Sequence, residues 1–198
     1  AGPTQEPIDP VRYISNRSSG KMGYAIAKCA RRRAAEITLV SGPVNLQPPL
    51  GVELVPVTTA SEMHQEVTTR VAETDLLVMS AAVADYRMAK PSDHKVKRKA
   101  EELSLELLPN PDILASVGTK PRRDDGRPII VGFALETDRL LQSARDKLRR
   151  KGCDLLVANL AHQSIGLDES TAFIIDGTGV IDEPGQLPKA MLADRILD

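Results

Sequence analysis

The sequence predicts an α/β fold with a Rossmann-like, mostly parallel sheet flanked by helices. Strand-like apolar runs alternate with helix-like amphipathic segments along the chain, as expected for parallel strands connected by helices. Several of the apolar runs are continuous, which is typical of strands that are buried on both faces. A chain of 198 residues suits one compact domain, so we expect residues 1–198 to form a single domain.

The predicted elements follow from these runs in chain order. Apolar runs rich in Leu, Ile and Val predict strands at 37–40, 54–57, 76–80, 103–108, 129–133, 155–158 and 172–175. Amphipathic segments predict helices at 21–33, 61–71, 112–117, 138–151 and 189–197. Residues 86–99 form a long polar stretch with a basic cluster, which predicts a functional loop. The chain starts on a turn-like Gly2-Pro3-Thr4, and we expect that a strand preceding Ala1 is missing from it.

Composition excludes several classes of protein. The chain has 26 basic and 27 acidic residues, so it lacks the strong positive field that nucleic-acid binding requires. No apolar run approaches the roughly 20 residues that span a membrane. Cys29 and Cys153 are the only cysteines, and their spacing matches neither a disulfide framework nor a metal site. We therefore expect a cytoplasmic protein with no nucleic-acid and no membrane partner.

Residues 14–23 are the first candidate binding site, because polar and glycine residues lead directly into a predicted helix. The free N–H groups of a helix start favour phosphate or carboxylate. The alternative is an ordinary helix cap, with Ser18 or Ser19 as the capping residue and Gly23 allowing close packing, and for the serines this interpretation is favoured. The segment is not a Walker A loop, because Met22 follows Lys21 where Ser or Thr is needed.

A dinucleotide site is a second interpretation of the same segment. Ser18, Gly20 and Gly23 have the spacing of the glycine fingerprint, with serine in the first place. The strand that follows should then end near an acidic residue, yet the chain has Ser41 and Gly42 there. This argues against a nicotinamide cofactor. Tyr86 and Lys90 have the spacing of the short-chain dehydrogenases, but Pro91 makes a regular helix there improbable, so the match is taken as accidental.

Four further candidates carry charge. Asp85 follows a buried strand, where α/β sheets place their ligands, although a loop-capping role is equally compatible. The basic cluster of the 86–99 loop contains Lys95, Lys97, Arg98 and Lys99, for which a solvated charge run is the alternative. Asp112 begins a predicted helix, and capping is favoured over ligand binding. Lys147 and Lys151 share one helix face, where an anion or an acidic group would relieve their repulsion.

Four ordered motifs identify the family that the chain resembles. These are DPVRYISNRSSGKMG at 9–23, AAVADY at 81–86, NPDI at 110–113 and VGFALET at 131–137. They resemble phosphopantothenoylcysteine synthetase, in particular the bacterial form fused behind a flavin-dependent decarboxylase, and the resemblance extends to about residue 176. It implies a Rossmann-like homodimer that joins L-cysteine to 4′-phosphopantothenate with CTP and Mg²⁺. The reaction would proceed through an acyl-cytidylate.

The resemblance also implies roles for individual residues. Asn16 would donate its amide to the acyl-cytidylate, Arg12 would hold an anionic group, and Ala82 would lie beside the reacting groups. Lys95 would bind the triphosphate from a mobile loop. The remaining residues implied for the nucleotide site are Gly20, Asp85, Pro111, Asp112, Ile113, Leu114, Phe133, Lys147 and Lys151. Two other hypotheses stay open beside the ligase, namely a nicotinamide-dependent oxidoreductase and a catalytically silent nucleotide-binding or dimerisation module.

Overall fold

The structure is a computed structural model that describes residues 1–98, 102–136, 140–160 and 166–198. Its strands are β1 (Glu6–Pro7), β2 (Tyr13–Ile14), β3 (Thr38–Ser41), β4 (Glu53–Pro56), β5 (Leu76–Met79), β6 (Tyr86–Met88), β7 (Leu107–Pro109), β8 (Ile129–Glu136), β9 (Leu155–Leu160), β10 (Glu169–Ile175) and β11 (Val180–Pro188). Its helices are α1 (Lys21–Arg32), α2 (Ala60–Arg70), α3 (Ile113–Gly118), α4 (Leu140–Lys151) and α5 (Lys189–Leu197), with a short 3₁₀ turn at Val71–Glu73.

The main sheet has five strands in the order β11-β10-β9-β8-β5. Strands β5, β8 and β9 are parallel, whereas β10 pairs antiparallel with both β9 and β11. The predicted fold class is confirmed, and the sheet is parallel in its α/β part and antiparallel at the β10–β11 end.

Helices cover both faces of this sheet. On one face, Ile130 and Leu156 are fully buried in a core that includes the helix residue Met63 of α2, along with side chains of α3 and α4. On the other face, their chain neighbours Val131 and Val157 pack with α1 and α5. Consecutive residues of β8 and β9 therefore point into opposite cores, which explains why their sequences are continuously apolar.

Strands β3 and β4 form a separate parallel pair, and residues 1–4 lie between this pair and the segment that follows β5. The Ala1 amine donates to the Val40 carbonyl at 2.6 Å, and the Gly42 amide donates to the Ala1 carbonyl at 3.0 Å. On the other side, the Ala82 amide donates to the Gly2 carbonyl at 2.9 Å. The strand expected upstream of Ala1 concerns residues outside this sequence and stays a prediction.

Two sequence predictions of local structure were wrong. Of the strand predicted at 103–108, only the end is a strand, β7, and it pairs antiparallel with β6 instead of entering the main sheet. Strand β6 lies in the stretch predicted as loop. The leucines of this region are exposed, Leu103 by 60%, so an apolar pattern here does not report burial in the core. Strand β11 was not predicted, because its sequence, VIDEPGQLP, contains acidic residues, Pro and Gly and has no continuous apolar run. It lies at the edge of the sheet, where strands tolerate such residues.

None of the helices in the described ranges is long and apolar enough to cross a membrane.

Candidate active site

A cavity of about 500 Å³ opens beyond the carboxyl end of β5. Its size is within the range of sites for small molecules and cofactors. Four parts of the chain line it, namely the end of β5 with the segment after it, the turn into α3, strand β8 and helix α4. The lining residues are Met79, Ala81, Val83, Ala84, Asp85, Tyr86, Pro109, Asn110, Pro111, Asp112, Ile113, Leu114, Phe133, Lys147 and Lys151.

This cavity brings together most of the residues predicted for the nucleotide site. Asp85, Pro111, Asp112, Ile113, Leu114, Phe133, Lys147 and Lys151 all line it. They are up to 66 positions apart in the sequence, and the parallel topology places them at one end of the sheet, where α/β folds bind ligands. Their part in nucleotide binding stays a prediction.

Asp112 and the two lysines set the charge of the cavity. One Asp112 oxygen caps α3 by accepting from the Ala115 amide at 3.0 Å, so the predicted capping role is confirmed. The other oxygen forms an ion pair with the Lys151 ammonium group, whose side chain is only 14% exposed. Lys147 has no ion-pair partner within the described ranges. The positive charge available to an anion in the cavity therefore belongs mainly to Lys147.

Two glycines hold α3 and α4 close together behind the cavity. A Cβ atom on Gly118 would lie 1.9 Å from the Lys151 carbonyl oxygen, and one on Gly152 would lie 2.3 Å from the Gly118 carbonyl oxygen. Gly152 also has a positive φ of 64°. Any side chain at position 118 would separate the two helices, since the obstructing atoms belong to the backbone. This contact places Lys151 within reach of Asp112.

Asn110 was not predicted as a site residue, yet it joins two walls of the cavity. Its side-chain amide donates to the Ala84 carbonyl at 2.8 Å, and its backbone amide donates to the Asp85 carbonyl at 2.8 Å. Arg87 in turn donates to the Asn110 side-chain oxygen at 3.2 Å. The Asp85 carboxylate is exposed and has no side-chain partner in the described part of the chain, so it is available to a ligand. The turn sequence Asn-Pro-Asp was the only signal for Asn110.

The predicted catalytic residues Asn16 and Ala82 are in direct contact. The Asn16 side-chain amide donates to the Ala82 carbonyl at 2.5 Å, and the Asn16 oxygen accepts from the Ser18 amide at 2.9 Å. Ala82 lies between Ala81 and Val83, which both line the cavity. Asn16 is therefore placed at the edge of the cavity, with an amide that a ligand could reach.

Gly20 does not line the cavity and forms the start of α1 instead. It is the helix cap residue, in the left-handed conformation with φ of 75°, and no side chain caps the helix. The prediction that Ser18 or Ser19 caps α1 was therefore wrong, and Ser18 instead accepts from the Gly20 amide at 3.3 Å. Close packing at Gly23 is confirmed, because an added Cβ would lie 2.5 Å from the Ala1 Cβ. A nucleotide contact for Gly20 stays a prediction.

Arg12 is engaged with the protein itself. Its guanidinium group donates to the Asp9 carboxylate at 2.5 Å and to the Val96 carbonyl at 2.8 Å. The Arg12 guanidinium, with smaller contributions from backbone amides, holds the pKa of the Asp9 carboxyl far below its usual range. Lys95, the neighbour of Val96, is exposed and is not part of the cavity lining. The structure thus connects Arg12 to the loop of Lys95, but it does not bring either residue into the cavity.

The other basic residues of the loop add no structured site. Lys97 and Arg98 are exposed, and Lys99 lies outside the described residues. Within the described ranges, no group of three or more His, Cys, Asp or Glu side chains comes together as a metal site.

Comparison with known proteins assigns the family. The model of the DNA/pantothenate metabolism flavoprotein C-terminal domain matches residues 1–198. The chain belongs to this family. Among members with curated names, the coenzyme A biosynthesis bifunctional protein CoaBC of Escherichia coli (strain K12) is 51% identical over 162 residues, covering 80% of this chain and 39% of that protein. The protein of the same name from Mycobacterium bovis is 43% identical over 209 residues, covering 100% of this chain and 50% of that protein.

Solved structures agree with this assignment. The crystal structure of the C-terminal domain of CoaBC is 39% identical, with a TM-score of 0.81, and the match covers 100% of this chain and 89% of that one. A mutant of the protein Cab2, in complex with phosphopantothenate-cysteine, has a TM-score of 0.76 at 16% identity, covering 100% of this chain and 83% of that one. At that identity the second match shows the shared fold alone. The chain spans about half or less of the length of the curated relatives.

Proposed function

We propose that this family member is a ligase that joins L-cysteine to 4′-phosphopantothenate with CTP, through an acyl-cytidylate. The observation that carries the proposal is the cavity beyond β5, where Lys147 and the Asp85 carboxylate have no ion-pair partner among the described residues and Asn16 lies at the edge. The family and the names of its relatives, which assign those proteins to coenzyme A biosynthesis, support the same activity.

The chemistry requires a nucleotide because a carboxylate is a poor electrophile. In the first step, an oxygen of the substrate carboxylate forms a bond to the α-phosphorus of CTP, and pyrophosphate leaves. In the second step, the cysteine amine attacks the acyl carbon, CMP leaves, and the amine nitrogen loses a proton to give the amide. Donors that are already in place where charge develops stabilise such transition states, and a neutral amide such as that of Asn16 does so without adding charge.

The residues of the cavity fit a magnesium nucleotide. Lys147 would offset triphosphate charge, whereas the charge of Lys151 is compensated by its ion pair with Asp112. The exposed Asp85 carboxylate suits the hydroxyl or amino groups of a nucleoside. Mg²⁺ would neutralise phosphate charge, and its protein contacts would be few because it usually retains several water ligands.

Changing Lys147 to Gln tests the charge of the cavity. We expect the Kd for CTP to rise by roughly 10- to 150-fold, since a charge-assisted contact contributes about 1.5 to 3 kcal/mol. The measurement is calorimetric titration with CTP and Mg²⁺. Lys28→Gln on the exposed side of α1 is the matched control and should leave the Kd unchanged. Equal affinity in Lys147→Gln and the unmodified protein would place the triphosphate elsewhere.

The activity itself is tested by pyrophosphate release. The purified protein is supplied with 4′-phosphopantothenate, L-cysteine, Mg²⁺ and either CTP or ATP, and the product is identified by its mass. We expect release with CTP together with formation of the cysteine conjugate. Release of pyrophosphate with ATP but not with CTP would support the ligase reaction and contradict the proposed use of CTP. No release with either, from a folded sample, would favour a silent binding module.

The oxidoreductase hypothesis gains no support from the site. At the end of β3, where a ribose-binding carboxylate would be needed, the side chain is Ser41. Ser41 is buried, and it donates to the Gly42 carbonyl at 2.9 Å. Tyr86 lies in a strand and not in a helix with Lys90, so its resemblance to a dehydrogenase pair is indeed accidental. Absence of NADH and NADPH binding in a fluorescence titration is the expected result.

The partners beyond the substrates are also proposals. Because relatives are named bifunctional and the chain spans only part of them, we propose that a flavin-dependent decarboxylase domain is fused to it or associated with it. We place the protein in the cytoplasm, where coenzyme A precursors would be available.

We also propose a homodimer whose interface includes the strand pair β6–β7. An isolated pair of strands is marginally stable, and this one carries the exposed side chains Leu107 and Leu108, at 40% and 41%. A second copy would bury them. Light scattering after gel filtration should give twice the monomer mass, and Leu108→Asp should shift it toward the monomer, whereas Leu50→Asp at a fully exposed loop should not. A dimer that survives Leu108→Asp would reject this surface.

A further inference from the structure

Asp9 is a buried carboxylate that no site prediction included. Its side chain has no exposed surface, and its two oxygens accept five hydrogen bonds. One oxygen, Oδ1, accepts from the backbone amides of Val11 and Arg12, both at 2.9 Å. The other oxygen, Oδ2, accepts from Nε and Nη2 of Arg12 at 3.1 and 2.5 Å and from the Val96 amide at 3.0 Å. The two oxygens therefore serve two different purposes.

The first oxygen forms a local turn, and the second joins distant segments. Asp9 and Val96 are 87 positions apart, and Val96 directly follows Lys95. Arg12 completes the connection by donating to the Val96 carbonyl at 2.8 Å. A further bond runs from the Ser92 amide to the Ile8 carbonyl at 2.9 Å. Both backbone groups of Val96 are thus held by the Asp9–Arg12 pair.

We propose that Asp9 is a positioning residue that fixes the Lys95 loop against the segment carrying Arg12 and Asn16. The inference rests on the proposed function for its consequence in catalysis, because Lys95 is expected to bind the triphosphate and Asn16 to act on the acyl-cytidylate. Asp9 contacts neither group itself. It acts by holding Val96, the residue next to Lys95, and by orienting Arg12.

A carboxylate is needed for this role because Oδ2 accepts from three donors, Nε and Nη2 of Arg12 and the Val96 amide. An asparagine at position 9 could keep the turn through its carbonyl oxygen. Its NH₂ group would then face the Val96 amide and the Arg12 guanidinium. All three groups are donors, so they cannot form hydrogen bonds with one another. Asp9→Asn therefore breaks the connection between segments and preserves the local turn, which makes it a sharper test than removal of the side chain.

The first measurement is hydrogen exchange at the Val96 amide, which requires no substrate. We expect hydrogen exchange at this amide to be about tenfold faster in Asp9→Asn, because the amide loses the hydrogen bond that protects it from exchange. Asp93→Asn, an exposed carboxylate on the same loop, is the matched control and should leave the rate unchanged. If Val96 stays equally protected in a folded Asp9→Asn protein, Asp9 does not hold the loop and the proposal is overturned.

The second measurement connects the anchor to the nucleotide. In Asp9→Asn we expect the KM for CTP to rise by about tenfold with a smaller change in kcat, and Lys95→Ala should add little to it, because residues that act as a unit are non-additive. If the effects of Asp9→Asn and Lys95→Ala on the KM for CTP multiplied in the double variant, the two residues would act independently and the proposed coupling would be overturned. If the unmodified protein ligates nothing, the proposed function fails, and the exchange measurement still decides whether Asp9 holds the loop.

Discussion

Replacing Asn16 with Asp is expected to lower kcat by roughly 100- to 1,000-fold, the usual effect of losing one donor to a developing charge. The Asn16 amide now donates to the Ala82 carbonyl at the edge of the cavity. A carboxylate there would face that carbonyl oxygen without a proton to donate, and it would repel an anionic acyl-cytidylate. CTP binding should change little, because the residues of the cavity wall remain in place. The measurement is the rate of formation of the cysteine conjugate, with the Kd for CTP determined in parallel.

Asn45→Asp provides the control for this substitution. Asn45 is exposed on the loop after β3, so it undergoes the same chemical change outside the cavity and should retain full activity. If Asn16→Asp formed product as fast as the unmodified protein, Asn16 would have no place in the mechanism. A loss of CTP binding in parallel with turnover would instead make it a binding residue.

The second large effect is expected from Gly118→Ala, which should lower the free energy of unfolding by about 3 kcal/mol, the upper range for overpacking. The new Cβ would lie 1.9 Å from the Lys151 carbonyl oxygen, and backbone atoms on both sides prevent an easy adjustment. Helix α4 would have to move, which would also separate Lys151 from Asp112. Urea denaturation measures the loss in free energy of unfolding. Titration with CTP should show weaker binding, because Lys151 and Asp112 both line the cavity.

Gly177→Ala is the matched control, because no heavy atom lies within 4 Å of a Cβ placed there and its backbone is not in the left-handed region. We expect its unfolding free energy to stay within about 0.5 kcal/mol of the unmodified protein, as for ordinary surface changes. Equal stability of the two variants would show that α3 and α4 separate at little cost, contrary to the close backbone contact.

Much of the fold was predictable because its signals are local. The continuous apolar runs of β8 and β9 indicate strands buried on both faces, and the amphipathic segments around them indicate the covering helices. Strand β11 and strand β6 gave no such signal, and the apolar run that contains β7 indicated a buried strand where the structure has an exposed one. The residues of these strands are largely exposed, so the strands are held by backbone hydrogen bonds to a partner strand and not by an apolar pattern that buries them.

The site shows the same difference between what local sequence patterns predict and what long-range contacts decide. The sequence by itself determined the α/β class, the turn before α3 with its Asp112 cap, and a set of charged residues whose motifs indicate the family. Only the tertiary structure decided that Asp112 pairs with Lys151 and not with Lys147, that Asn110 joins two walls, and that Asp9 reaches Val96. The physical reason is that these contacts join residues 26 to 87 positions apart, or two helix ends brought together by glycine. Spacing along a chain reports which residues share one helix or strand, whereas the partner of a charge is set by how those elements pack.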